Sequence, residues 1–141
     1  MTPRPAKQAE MDAIRYDTQG YEAIRADLLD SFLYEYAGRE IELVLETDEF
    51  TSVCPWSGLP DFASLRITYV PDQLCLELKS FKYYLLSYRH VGIYYEHLTH
   101  RILEDLVAAV QPLRMRIEGD FKNRGGIGCR ASAEYRRPEA E

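Results

Sequence analysis

Five stretches of this chain alternate apolar and polar residues at every second position, and between the third and the fourth the period becomes helical. That order restricts the fold more than any other feature. Ile41, Leu43 and Leu45 alternate with Glu42, Val44 and Glu46, and Leu65, Ile67 and Tyr69 alternate with Ser64, Arg66 and Thr68. Leu74, Leu76 and Leu78 alternate with Cys75 and Glu77. Each stretch is the pattern of a strand with one face in a core. Pro71-Asp72 marks a turn between the second and third, and so short a connection predicts an antiparallel hairpin. Lys79 to Arg89, rich in long and aromatic side chains, reads as a short helix. After Gly92, the residues Tyr94, Leu98, Ile102, Leu106 and Val110 recur every four positions, Leu103 and Val107 widen the stripe, and Pro112 follows it. Leu113, Met115 and Ile117 then alternate with Arg114, Arg116 and Glu118. Ile127, Cys129, Ala131, Ala133 and Tyr135 carry the same period to the end. Strands, two helices, then strands again predict an α+β fold with the helices on one face of an antiparallel sheet. Such a sheet leaves its edges open, and open edges are commonly paired with another subunit, so a homo-oligomer is expected.

The chain's 141 residues, 46% of them apolar, suit one packed domain and exclude wholesale disorder. Residues 1–30 are charged and short of apolar periodicity, and read as a mobile or peripheral N-terminal segment ahead of a single domain over 31–135; 136–141 form a polar tail. A formal charge of -6 argues against direct nucleic-acid binding, which needs a basic surface. No apolar run nears the roughly 20 residues that span a bilayer, and Met1 to Glu10 hold no hydrophobic signal core, so no membrane association and a cytoplasmic location are expected. Cys54, Cys75 and Cys129 are odd in number and lack CxxC spacing, which predicts free thiols. His97 and His100 stand three apart on a helix, but two ligands make a weak metal site; surface histidines and no metal are expected.

Three segments carry chemistry. In Thr51-Ser52-Val53-Cys54-Pro55-Trp56-Ser57-Gly58-Leu59-Pro60-Asp61-Phe62 a cysteine enters a proline- and glycine-bearing loop, and a carboxylate follows seven residues later. A thiol reacts as thiolate and needs a base or a positive field to form it. Asp61 is a candidate for that base and for returning the proton; a cysteine packed in a rigid turn is the alternative. In Glu77-Leu78-Lys79-Ser80-Phe81-Lys82 two of the chain's four lysines share one helical face, suited to a phosphate-bearing ligand or simply solvated. At Tyr94-Tyr95-Glu96-His97 a carboxylate stands in a first helical turn, where the helix dipole favours it. Together with Glu77 it offers acceptors that complement the adjacent N–H donors of a guanine-like base. Phe121-Lys122-Asn123-Arg124-Gly125-Gly126-Ile127 is a basic loop that either touches an anion through Arg124 or merely joins two strands.

In combination these segments, spanning about Phe50 to Tyr135, resemble the NADPH-dependent nitrile reductases of queuosine biosynthesis, the 7-cyano-7-deazaguanine reductases, in their shorter single-domain form. The family signature (glutamate, serine or leucine, lysine, serine or alanine, an apolar residue, lysine) is met at every position from Glu77 to Lys82. The resemblance implies a tunnelling fold (T-fold), small units assembled into an oligomeric barrel, with sites at subunit interfaces and two stacked pentamers. It implies Cys54 as a nucleophile that forms a thioimide with the nitrile, and Asp61 as proton donor. It further implies Leu76, Glu77, Leu78, Tyr95 and Glu96 around a deazapurine substrate, and Lys79, Lys82 and Arg124 on the phosphates of NADPH. No Rossmann glycine fingerprint is present. Tyr95 departs from the family, many of whose members have histidine there. A GTP cyclohydrolase-like enzyme, which would want a zinc site, and a noncatalytic purine- or pterin-binding subunit of the same fold are the competing readings.

Overall fold

The computed structural model describes residues 4–139. Along the chain run α1 (Arg4–Asp12), two 3-10 turns (Tyr21–Ala23 and Ala26–Leu28), β1 (Ser31–Leu33), β2 (Leu43–Val53), β3 (Pro60–Val70) and β4 (Leu74–Leu76). They are followed by α2 (Leu78–Leu86), α3 (Tyr95–Val110), β5 (Arg114–Arg124) and β6 (Ile127–Arg136). The long strands form one antiparallel sheet in the order β2-β3-β5-β6. Ala63, Leu65, Ile67 and Tyr69 of β3 lie beside Phe121, Gly119, Ile117 and Met115 of β5, so one face of the sheet is continuously buried. α3 covers it with Leu98, Ile102, Leu103, Leu106 and Val110, the every-four stripe seen in the sequence. Tyr94 is the exception: it precedes the helix and is exposed. α3 ends with Gln111 in the left-handed region (φ 46°), just before Pro112.

The expected hairpin between the second and third alternating stretches does not form. β3 is already hydrogen-bonded on both sides, to β2 and β5, so its successor has no free edge to return to. β4 pairs instead with β1, Ser31 opposite Leu76 and Leu33 opposite Leu74, and the Leu76 N–H donates to the buried Tyr69 hydroxyl. Glu77 and Leu78 leave the strand altogether. Glu77 caps α2, accepting from the backbone N–H groups of Lys79 (2.9 Å) and Ser80 (2.7 Å), and those bonds hold its carboxyl below the usual range.

The N-terminal residues are less of an arm than expected. Ile24 is buried in the core, the Tyr16 N–H donates to the Ser57 carbonyl, and Gln19 pairs with Val91. The tail is also tied down: the Arg137 N–H donates to Leu113 O, and its guanidinium reaches Asp72 at 2.6 Å. Tyr84 and Tyr88 are core residues whose hydroxyls bond each other, and Tyr84 also donates to Asp105 (2.6 Å). No helix among the described residues is long and apolar enough to cross a membrane.

Candidate active site

Two β-bulges build the site end of the sheet. Between Thr47 and Phe50, β2 holds one residue more than β3, and between Phe121 and Arg124, β5 holds one more than β6. Each bulge reverses the face on which the following residues stand. Phe50 and Ser52 therefore turn inward, Ser52 directly opposite Asp61, and Arg124 returns to the face of Phe121. The supposed loop of residues 121–127 is mostly strand, closed by a two-residue turn at Gly125 (φ 60°) and Gly126 (φ 81°), a left-handed pair that glycine adopts without strain.

Arg124 consequently reaches Asp61, donating from a terminal guanidinium nitrogen to Oδ1 at 2.9 Å. Tyr95, from the first turn of α3, donates its hydroxyl to the same oxygen at 2.9 Å. Its ring stacks on Phe121 (centroids 3.9 Å apart, 18° between planes) and lies 5.7 Å from the Arg124 guanidinium carbon. Asp61 is thus 5% exposed but charge-paired and doubly hydrogen-bonded. Burial, then the bond to Asp61, pushes the Tyr95 hydroxyl up to about 12, so near neutrality it is a proton-bearing donor.

Cys54 is the first residue of the loop joining β2 to β3, and it is half-buried. The loop is closed by Cys54 N–H to Leu59 O and Gly58 N–H to Cys54 O, both 2.9 Å. Gly58 (φ 74°) is needed there twice over, since a Cβ would stand 2.5 Å from the Tyr16 carbonyl oxygen. Burial pushes the Cys54 thiol up. The Ser57 hydroxyl, the backbone N–H groups of Ser57 and Trp56 and the charge of Arg124 outweigh it and hold the thiol below its ordinary value. The Arg124 guanidinium, ion-paired with Asp61, thus acts on the thiol through its charge and on the carboxylate through a direct bond. Cys75 differs: it is buried, and burial pushes its thiol up. Cys129, on β6, is half-buried and free.

Four of the expected residues therefore meet within one chain: Cys54, Asp61, Tyr95 and Arg124. Arg124 does touch an anion, and that anion is Asp61. Glu96 is exposed beside Tyr95. Glu77, Lys79 and Lys82 sit at the start of α2, and among the described residues no hydrogen bond or ion pair links them to the Cys54 cluster. Both lysines are exposed and outside the ion pairs of the described residues. Leu78 is exposed, whereas the Leu76 side chain is in the core. Ser57, Phe121 and Ser52 were not anticipated. The Cys54-Pro-Trp-Ser57 spacing could have signalled the first, because a hydroxyl three residues on in a tight turn can face the sulfur. Ser52 is 1% exposed with its hydroxyl unpartnered among the described residues, beside Asp61. His90, His97 and His100 are exposed, and no three metal-ligating side chains gather among the described residues. A concavity of about 760 Å³ lies on the helix-free face of the sheet among Glu46, Arg66, Arg116 and Glu118, and Cys54 does not line it.

A family model described as QueF-like protein matches residues 60–140. An NADPH-dependent 7-cyano-7-deazaguanine reductase of Thermoanaerobacter pseudethanolicus is 53% identical over 121 residues, covering 86% of this chain and 91% of that protein. One of Caldanaerobacter subterraneus subsp. tengcongensis is 52% identical over 125 residues, covering 89% and 93%. Among solved structures, the archaeosine synthase QueF-Like in its apo form is 30% identical with a TM-score of 0.62, over 66% of this chain and 91% of that one.

Proposed function

This chain belongs to the QueF family, and we propose that it is an NADPH-dependent 7-cyano-7-deazaguanine reductase of queuosine biosynthesis, converting the nitrile to the aminomethyl group. The observation that carries the reading is the Arg124–Asp61 ion pair at 2.9 Å, in which a buried carboxylate is held by the guanidinium whose charge also helps keep the Cys54 thiol below its ordinary value. A noncatalytic binding subunit has no use for that pairing.

The chemistry follows from these residues. The Cys54 thiolate adds to the nitrile carbon: a C–S bond forms, one π bond of the C≡N group breaks, and the nitrogen takes a proton. The product is a thioimide, and the proton balance closes if the proton lost by the thiol is the one gained by nitrogen. Asp61 is the carrier we assign to it, and Tyr95 and Arg124 orient its Oδ1. Glu77 and Glu96 are read as acceptors for the N–H edge of the deazapurine. Two lone-pair positions of the Glu77 carboxylate remain after its capping bonds, so capping and substrate binding are compatible. Leu76, Leu78 and Tyr95 would line the same pocket, Leu76 through its backbone.

The lysines fit a dinucleotide phosphate. Two exposed ammonium groups three residues apart at a helix start, outside every ion pair of the described residues, suit an anion with several oxygens. Lys79 and Lys82 would hold NADPH there, with Arg124 as a further contact. NADPH supplies hydride when bound, and the four electrons between nitrile and amine require two equivalents.

We read the sheet, with both helices on one face and two open edges, as a tunnelling-fold unit whose copies close a barrel, two pentameric rings stacked. Among the described residues no hydrogen bond or ion pair joins the α2 start to the Cys54 cluster, which supports a site shared between copies.

The test is intact mass. Mixed with 7-cyano-7-deazaguanine and no NADPH, the protein should gain one substrate mass, and Cys54→Ala should gain none. Absence of the adduct in freshly reduced wild-type protein overturns the reading.

A further inference from the structure

The segment ahead of the domain runs along the outside of the nucleophile's loop. The Tyr16 N–H donates to the Ser57 carbonyl at 2.8 Å, and the Arg15 guanidinium lies 4.8 Å over the Trp56 ring. The Tyr16 carbonyl crosses so near Gly58 that no side chain fits between them. Thr18 and Pro55 both close on Gly92, each within 3.3 Å of where a Cβ would stand. Gln19 continues the contact, donating to His90 O (2.8 Å) and accepting from Gly92 N–H (3.0 Å). Gly92 and Val91 are bridged in turn to Val53, the residue before Cys54. The Cys54 loop is therefore gripped between residues 91–93 within and residues 15–19 without.

The contacts fall on particular residues. Trp56, Ser57 and Gly58 are the ones the outer segment touches, and the N–H and O–H groups of Trp56 and Ser57 are those that help hold the Cys54 thiol below its ordinary value. Among the described residues α1 makes no hydrogen bond or cation–π contact to the loop, and its side chains are exposed wherever they are described; such contacts begin at Arg15.

We propose that Arg15–Gln19 is a positioning strap for the nucleophile: it fixes the Trp56–Gly58 turn from outside and so keeps the donors of that turn aimed at Cys54. This rests on Cys54 being the reactive thiol of the proposed reductase and names what tunes it. The strap touches neither sulfur nor carboxylate. It acts through Ser57 and Trp56, and its loss should show in the thiol before it shows in the fold.

The experiment is iodoacetamide labelling of the full chain over a pH series, with rates at Cys54 and Cys75 read separately by peptide mass. Tyr16→Pro removes the N–H that holds Ser57, Arg15→Ala removes the cation over Trp56, and Ala9→Pro breaks α1 alone. The first two should raise the pH midpoint of Cys54 labelling toward the ordinary cysteine value of about 8.5. A rise of about one unit lowers the thiolate at neutral pH about tenfold. Ala9→Pro should overlay wild type, and Cys75 should stay protected throughout. Unchanged Cys54 profiles in both strap variants overturn the proposal, as does an equal shift in Ala9→Pro. Labelling of Cys75 alongside Cys54 overturns it too, since the segment would then be holding the whole domain. Labelling needs neither nitrile nor NADPH, so this outcome is separate from that of the substrate adduct.

Discussion

Arg124 bonds the Asp61 carboxylate and its charge acts on the Cys54 thiol, so replacing it acts on each differently. Arg124→Gln removes a positive charge that helps hold the thiol down, so the Cys54 midpoint should rise. The sign is that of an acid with a lowered folded value: thiolate is present above that value and lost as pH falls through it, so the variant loses reactivity first near neutrality. Asp61 keeps the Tyr95 donor but loses its charged one, and a buried acceptor left short costs about 1–3 kcal/mol. The lower end is expected, because the Arg124 side chain is 48% exposed and water can reach its place. Denaturant midpoints and iodoacetamide profiles check the two effects independently. Tyr95 adds no inflection in that range. With its hydroxyl raised to about 12, its contribution to stability is full below the ordinary tyrosine value of about 10 and lost only as pH climbs between the two.

What places these side chains is element geometry, and here legibility in the sequence divides sharply. The long strands, α2 and α3 were readable, because their apolar residues keep a period of two or of about four. The residue types of Cys54, Asp61, Tyr95 and Arg124 were readable as chemistry. Their meeting was not. Strict alternation from Phe121 sends Arg124 to the face opposite Asp61, and alternation from Leu43 sends Ser52 outward; the two bulges reverse both. A bulge leaves no mark in a hydrophobic pattern. β1 was invisible for a related reason: three residues, Ser31 to Leu33, form a strand only because β4, denied the edge of β3, lies beside them. The turn that ends the β5 bulge is readable, since consecutive glycines between alternating runs mark a two-residue hairpin. Gly126 sits at φ 81°, so Gly126→Val should lower stability by about 1–2 kcal/mol, the cost of a left-handed conformation for a branched side chain. Gly126→Asn should cost less. Chemical denaturation gives both numbers, and equal loss in the two would mean that the turn is not what limits this hairpin.

For the whole molecule the deciding feature is what the sheet leaves open. Among the described residues β2 and β6, 11 and 10 residues long, each have one side without a strand partner. The helix-free face carries the ion pairs Arg66–Glu46, Arg116–Glu118, Arg116–Glu134 and Arg130–Asp120, a surface for water and not for a second apolar layer. Sandwich formation is therefore disfavoured, and edge pairing is the remaining way to satisfy the strands. Joining β2 of one copy to β6 of the next is head-to-tail, and a head-to-tail interface that closes gives a ring. Cys54 follows directly on β2, so the neighbouring copy would arrive beside the nucleophile. Cys54, Asp61, Tyr95 and Arg124 gather within one chain, while among the described residues no hydrogen bond or ion pair joins Glu77, Lys79 or Lys82 to them. Dilution should therefore separate two properties. As particles fall from a multiple of 16.4 kDa to single chains, turnover per chain should fall with them, while the iodoacetamide profile of Cys54 stays in place. Mass photometry alongside NADPH consumption measures the first, and peptide labelling the second. Turnover that survives in single chains would mean that one copy holds substrate and NADPH alone, and a Cys54 profile that moves with dissociation would mean that the neighbour, not Arg124 and Ser57, sets the thiol.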